Sequence, residues 1–88
     1  MLDLLIKDGL VIDGTGKPSY HANLGIRGDT IEFLGNDTCA AEIVIDAAGR
    51  MVTPGFIDIH THSDLGILAV PTADNYVMQG VTTTVAGN

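Results

Sequence analysis

The first half of the chain alternates short apolar clusters with polar turn residues, a pattern typical of a small β-domain. Residues 4–6 and 10–12 are apolar, and residues 7–9 (Lys-Asp-Gly) lie between them. This arrangement predicts two short strands joined by a compact hairpin. Two glycines and a proline then predict a loop over residues 13–18.

Residues 21–27 show the clearest alternation, because Ala22, Leu24 and Ile26 occupy every second position. A period of two predicts a strand with one face on a core and one face in water, where His21 would lie. Further short strands are predicted over residues 30–34 and 43–45. Strands this short and close together predict a small antiparallel β-sandwich up to about Gly49.

The pattern changes in the second half. Residues 56–60 predict a strand that ends in polar side chains, and residues 81–85 are β-branched throughout, which favours another strand. Residues 73–79 between them predict a short helix, with Thr72 as N-cap and Gly80 just past its end. Strand, helical crossover and strand form the βαβ pattern of a parallel sheet.

The βαβ pattern has only two strands, whereas a parallel sheet is normally covered on both faces and built from several units. The sequence also stops at Asn88, directly after a strand. We therefore expect these 88 residues to be the front of a longer protein. On its own, we expect the fragment to self-associate through its open strand edge and uncovered apolar face.

Composition and charge narrow the function classes. An apolar content of 45% with 17% charged residues excludes a disordered tail. Eleven acidic and four basic residues give a net charge of −7, which argues against nucleic acid as a partner. The single cysteine, Cys39, cannot close an intrachain disulfide. With no signal peptide and no apolar run long enough for a membrane helix, we expect a cytoplasmic protein that does not bind membranes.

The chemistry concentrates in the segment His60-Thr61-His62. Residues two apart on an extended chain point to the same side, so two imidazoles can converge on one ion. Neutral imidazole suits Zn²⁺ and similar metals. The alternative is two histidines at a strand end, each bonded to backbone carbonyls.

The residues around this pair resemble a known family. Residues 54–64 read Pro-Gly-Phe-Ile-Asp-Ile-His-Thr-His-Ser-Asp, which closely resembles the signature of the metal-dependent amidohydrolase superfamily, and residues 45–53 resemble its usual run-in. Together with residues 79–88, this segment is similar to the N-acyl-D-amino-acid deacylases, also called D-aminoacylases. The resemblance covers essentially all 88 residues.

This resemblance implies a small, mainly β sandwich followed by the first β-α-β unit of a (β/α)₈ TIM-type barrel, incomplete in this chain. Residues 1–52 would be the N-terminal portion of the sandwich, and residues 53–88 the start of the hydrolase barrel. By residue-level match, His60 and His62 would be metal ligands for one or two Zn²⁺. A ligand cysteine would follow Asn88, and the general base would lie further downstream; Cys39 matches neither.

The resemblance also implies a reaction, hydrolysis of the amide bond of small-molecule N-acyl-D-amino acids by metal-activated water. Two imidazoles are fewer than the three protein ligands of a typical catalytic zinc site, so the fragment alone should bind zinc weakly and be inactive. One alternative is a cyclic amidohydrolase of the dihydroorotase or hydantoinase kind, which a carboxylated lysine downstream would favour. Another is a non-catalytic, self-associating β-rich fragment.

Two carboxylates flank the histidines at matching spacing. Asp58 either orients an imidazole, as ligating histidines usually require, or bonds to a backbone N–H nearby. Asp64 either lines the pocket, where it contacts the substrate or a metal-ligating side chain, or is a loop carboxylate or helix cap. The sequence leaves both alternatives open.

Overall fold

A computed structural model describes residues 1–86 of the chain as a succession of strands with two short helices. The strands are β1 (Leu2–Val11), β2 (Tyr20–Arg27), β3 (Thr30–Gly35), β4 (Ala41–Asp46), β5 (Met51–Val52), β6 (Phe56–Asp58) and β7 (Val81–Thr84), and the helices are α1 (Ser63–Gly66) and α2 (Asp74–Val77). The chain divides into two compact units between Pro54 and Gly55. No helix within residues 1–86 is long and apolar enough to cross a membrane.

The first unit is built around β1, the central strand of a single mixed sheet. The strand order is β3-β2-β1-β4, and β5 also pairs with β1. β2 is antiparallel to both β1 and β3, as predicted, whereas β4 and β5 run parallel to β1. The all-antiparallel prediction was therefore wrong. The reason is that residues 36–40 return the chain to the beginning of β1, where Leu2 pairs with Ala41.

The hairpin predicted around residues 7–9 was also wrong, because those residues lie inside one continuous strand. Asp8 has a φ of 56°, and the register with β2 shifts at this point, which is a β-bulge. The Asp8 N–H donates to Oδ1 of Asn23 at 2.9 Å. A Cβ on Gly9 would lie 2.7 Å from Cγ2 of Val52, so the neighbouring side chain requires glycine here. The polar residues bend β1 and do not end it.

β2, β3 and β4 match their predicted positions to within two residues, whereas β5 was not predicted. The predicted loop over residues 13–18 is present, and His21 is exposed as expected. The buried apolar side chains that the structure describes all belong to this unit: Leu2, Leu5, Val11, Ala22 and Ala47. They come mainly from β1 and β2, so the core lies along the central strand.

The second unit contains β6 and β7, which pair in parallel as the sequence predicted. Both helices lie in the connection between the two strands, and α1 was not predicted. β6 is shorter than expected, since it ends at Asp58 and not at His60. Asp58 pairs with Thr84, so the carboxyl ends of the two strands lie side by side.

The start of α2 differs from the prediction. Its N-cap residue is Ala73, at a φ of 55° and without a side-chain cap, so the assignment of Thr72 as N-cap was wrong. The Ala73 carbonyl accepts hydrogen bonds from the N–H groups of Tyr76 and Val77, which starts the turn. The helix ends at Val77 and not at Gln79 as predicted, so Gly80, with a φ of 84°, ends the turn that follows the helix.

Candidate metal centre

His60 and His62 lie just beyond the carboxyl end of β6, and their rings form a T-shaped, edge-to-face pair. The ring centroids are 5.7 Å apart and the ring planes are inclined by 86°. Both residues are exposed. The two rings therefore lie close together, in the bend after β6 and not on the strand itself.

The spacing of the two rings is compatible with one shared zinc ion. A Zn–N bond is about 2.1 Å and an imidazole nitrogen lies about 1.2 Å from the ring centre, so two rings on a tetrahedral ion have centres about 5 Å apart. The observed 5.7 Å is within 1 Å of that value. Neutral imidazole is also a donor that zinc prefers. The pair therefore fits the metal in both chemistry and spacing.

Thr61, between the two histidines, is held against the end of β7. Thr61 is only 4% exposed, although both of its neighbours, His60 and His62, are exposed. The Thr61 N–H donates to the carbonyl of Val85 at 3.0 Å, and Oγ1 donates to the same carbonyl at 3.1 Å. One carbonyl therefore fixes both the backbone and the side chain of Thr61.

A second hydroxyl group extends this contact. Oγ of Ser63 lies 3.0 Å from Oγ1 of Thr61 and 3.0 Å from Oγ1 of Thr84, which forms a chain of three hydroxyls. No role was predicted for these hydroxyl groups from the sequence. In the sequence they are simply serine and threonine residues beside the histidines and at the end of β7. Their contact could be predicted only if the parallel register of β6 and β7 were already known.

Asp58 is half-buried at the end of β6 and contacts the backbone that follows it. Its Oδ1 accepts a hydrogen bond from the N–H of His60 at 3.2 Å. Its carbonyl accepts one from the N–H of Val85 at 2.8 Å. Asp58 thus has the backbone contact that the sequence analysis gave as its second alternative.

Asp64 lies in the first turn of α1 and is exposed. It lines an open groove of about 370 Å³ in the second unit, together with Ser63, Tyr76 and Thr82. Ser63, which lines the groove, directly follows His62 in the sequence. Asp64 can therefore meet a small molecule in this groove, although its helix position also suits an acidic residue in a first turn.

The donor set in the described part of the chain is partial. Within residues 1–86, no three His, Cys, Asp or Glu side chains are grouped closely enough to hold a metal ion. Cys39 is exposed and belongs to the first unit. Gly87 and Asn88, the predicted end of the second barrel strand, lie outside the described residues. The histidine pair is therefore a candidate half-site.

Comparison with known proteins gives a consistent result. Residues 43–88 match the amidohydrolase family. The chain is 47% identical over 88 residues to an N-acyl-D-glutamate deacylase of Alcaligenes xylosoxydans xylosoxydans, a match that covers 99% of this chain and 18% of that protein. The chain thus spans about a fifth of the length of this relative.

Two solved structures are similar over nearly the whole chain. One is a D-aminoacylase, with a TM-score of 0.92 and 44% identity over 100% of this chain and 19% of that chain. The other is the N-acyl-D-glutamate deacylase of Bordetella bronchiseptica, with a TM-score of 0.90 and 43% identity over 99% of this chain and 19% of that chain. The latter was crystallised with zinc and a phosphonate inhibitor that mimics the tetrahedral intermediate.

Proposed function

Because the chain belongs to the amidohydrolase family, we propose that it is the N-terminal part of a zinc-dependent enzyme that hydrolyses the amide bond of N-acyl-D-amino acids. The observation that carries this proposal is the approach of His60 and His62, with ring centroids 5.7 Å apart beyond the carboxyl end of a parallel strand. Barrel enzymes gather their active sites at that end of their strands. The names of its close relatives support the substrate class.

The same proposal assigns a barrel to the second half of the chain. Residues 53–88 would begin a (β/α)₈ barrel, and residues 1–52 would form one part of a β-sandwich. The exposure of the apolar residues around β6 supports this assignment, since Phe56, Ile57 and Ile59 are 56%, 62% and 76% exposed. Parallel strands are normally covered on both faces, so further strands and helices would pack on these side chains.

The chemistry divides between the histidines and residues elsewhere in the protein. His60 and His62 would each bind through a neutral ring nitrogen. Zinc at such a site supplies polarisation of the amide carbonyl and activation of a water molecule. Two imidazoles are one donor short of a typical catalytic site. The remaining ligands, and the carboxylate that moves the proton from water to the leaving amine, would come from outside residues 1–86.

The two flanking carboxylates would have different roles. Asp58 would hold the backbone of His60 in place through the bond from its N–H to Oδ1. Asp64, exposed on the groove, would contact the substrate. An acidic side chain repels the carboxylate of an N-acyl amino acid, so Asp64 would suit its amide N–H.

The experiment that tests this function uses the full-length protein loaded with zinc. We expect hydrolysis of N-acetyl-D-amino acids and little hydrolysis of the L enantiomers. His60→Asn and His62→Asn should each lower kcat/KM at least ~100-fold and reduce bound zinc, because the ligand is lost. His21→Asn is the matched control, since His21 is exposed on β2 in the other unit.

Unchanged activity and zinc content in both site variants would rule out the proposed ligands. Ring opening of hydantoins or dihydroorotate, without cleavage of N-acyl-D-amino acids, would instead favour a cyclic amidohydrolase. The two activities can be compared on one preparation, because both reactions consume water and release a new carboxylate.

For the 88-residue chain alone we propose weak zinc binding, no turnover and self-association. Exposed strands support the self-association, since Ile43, Val44 and Ile45 of β4 are 59%, 53% and 48% exposed. Light scattering that shows a stable monomer would contradict it, and tight 1:1 zinc binding would contradict the partial site. A cytoplasmic location stays a prediction from the single cysteine.

A further inference from the structure

We propose that Thr61 is a positioning residue, whose buried hydroxyl fixes the direction in which His60 and His62 present their rings. This inference rests on the proposed function, because it concerns how the histidines reach a metal. It assigns a role to a hydroxyl group that contacts neither the metal nor the substrate.

The burial of Thr61 is the first observation. Thr61 is 4% exposed, whereas His60 and His62 are both exposed, so the three side chains alternate between inside and outside. Side chains alternate in this way along a strand, and here the alternation continues into the bend that follows β6. While Thr61 stays buried, the two imidazoles lie on the exposed side of the segment, with ring centroids 5.7 Å apart.

The anchoring of Thr61 is the second observation. Its N–H and its Oγ1 both donate to the carbonyl of Val85, at 3.0 and 3.1 Å. Because the backbone and the side chain are held by one acceptor, Thr61 cannot rotate about its Cα–Cβ bond without losing a buried hydrogen bond. A buried polar group that loses its partner is costly, so the arrangement resists rotation.

The chain of hydroxyls also holds the residue that follows His62. Oγ of Ser63 bridges Oγ1 of Thr61 and Oγ1 of Thr84, at 3.0 Å from each. Ser63 is also the first residue of α1, so the direction of the chain after His62 is set at the same point. His62 is thus held between two anchored residues.

The consequence for metal binding follows from the geometry of the ligands. Groups that orient ligating histidines typically change metal affinity ~10–100-fold when they are removed. Thr61 acts through the backbone and not through a bond to either ring, so we place its effect at the lower end of that range. The hydroxyl should carry the effect, since the side-chain hydrogen bonds of Thr61 to Val85 and Ser63 are made by Oγ1.

The experiment compares two substitutions of Thr61 in the full-length protein. Thr61→Val keeps the shape and removes the hydroxyl, whereas Thr61→Ser keeps the hydroxyl and removes the methyl group. Zinc affinity is measured by competition with a chromophoric chelator, and Co²⁺ substituted for zinc reports ligand geometry through its visible spectrum. We expect Thr61→Val to lower zinc affinity ~10-fold and shift the Co²⁺ bands, and Thr61→Ser to stay within ~3-fold of the parent.

Two further variants keep the test decisive if Thr61→Val fails to fold. Ser63→Ala breaks the chain of hydroxyls and leaves the bonds between Thr61 and Val85, so it should lower zinc affinity ~5-fold, less than the ~10-fold expected of Thr61→Val and outside the ~3-fold range of the parent. Thr83→Val is the matched control, because Thr83 is an exposed threonine of β7 outside the chain of hydroxyls. It should leave both affinity and the Co²⁺ spectrum unchanged.

Failure of this inference can be told apart from failure of the proposed function. If His60→Asn and His62→Asn lose zinc but Thr61→Val binds it as the parent does, the positioning role is overturned and the metal site stands. Equal losses in Thr61→Val and Thr61→Ser would also overturn it, since the hydroxyl would then not matter. If the histidine variants bind zinc normally, the proposed function fails and this inference fails with it.

Discussion

Asp58 and His60 are joined by a hydrogen bond from the backbone N–H of His60 to Oδ1 of Asp58, 3.2 Å long. A bond of this kind, from an aspartate to the N–H two residues on, turns the chain at the end of a strand. It explains why β6 ends at Asp58 and why the histidines lie in a bend. The position of the first imidazole thus depends on an acceptor two residues before it.

Substitution of Asp58 tests this relationship. Asp58→Ala removes the acceptor and should destabilise the full-length protein by about 1 kcal/mol. Asp58→Asn keeps a side-chain oxygen at the same place and should cost less than half as much. Thermal unfolding at constant zinc measures both. Equal losses in the two variants would show that the charge of Asp58 matters and not the hydrogen bond.

Gly55 sets the close approach of β6 and β7. A Cβ at this position would overlap the hydroxyl of Thr82 and lie 2.5 Å from its Cγ2. Gly55→Ala should therefore destabilise the protein by roughly 1–3 kcal/mol, through overpacking. Gly66→Ala is the control in the same unit, since a Cβ there meets nothing within 4 Å and alanine favours the helix. A lower melting temperature for both variants alike would refute the packing argument.

Gly25 makes a similar contact in the first unit, where the ring of Phe33 on β3 lies over it. An added Cβ would come within 2.5 Å of Cε1 of that ring. We expect Gly25→Ala to cost about 1–3 kcal/mol, because the ring must move off the sheet. Gly35→Ala on the same strand as Phe33 meets nothing within 4 Å and should cost well under 1 kcal/mol. Denaturant unfolding of the two variants decides.

The sequence predicts those elements of the fold that depend on local residue patterns, and fails where a partner strand decides the structure. The alternation over residues 21–27 and the β-branched run over residues 81–85 predicted β2 and β7 correctly, because burial and backbone preference agree there. The hairpin at residues 7–9 failed because the same polar residues suit a turn or a bulge. Only the partner strand decides between them, and Asn23 on β2 favours the bulge.

The loop after β1 offers a test by pH. The Thr15 hydroxyl and its backbone N–H both donate to Oδ1 of Asp13, and together with the Tyr20 hydroxyl they lower the pKa of Asp13 below its ordinary value of 3.8. Burial and the bond to Asp13 raise the pKa of Tyr20 above 10.0. A carboxyl with a lowered pKa stabilises the fold above the unfolded value, and the gain is lost as the pH falls through the folded value.

We therefore expect Thr15→Ala to raise the pKa of Asp13 toward 3.8, and to reduce the loss of stability below that pH. Tyr20→Phe should raise the pKa less, because the side-chain bond from Thr15, which Thr15→Ala removes, has a larger effect than the bond from Tyr20. A carbon-13 NMR titration of the Asp13 carboxyl group measures both shifts. A larger change in Tyr20→Phe than in Thr15→Ala would reverse the assigned order.

The sequence predicts the candidate site only in part, as it does the fold. Spacing and resemblance single out His60 and His62, because two histidines separated by one residue, within a family signature, indicate metal binding. The hydroxyl groups of Thr61, Ser63 and Thr84 were not identified, since threonine and serine are common in strands and helix starts. Their role follows only from the parallel register that brings the end of β7 beside the histidines.

The most direct test of this account is anomalous diffraction at the zinc edge from crystals of the zinc-loaded full-length protein. We predict one anomalous peak about 2.0–2.1 Å from a ring nitrogen of His60 and the same distance from a ring nitrogen of His62. Rings that turn away from the zinc, or zinc bound only by other residues, would contradict it.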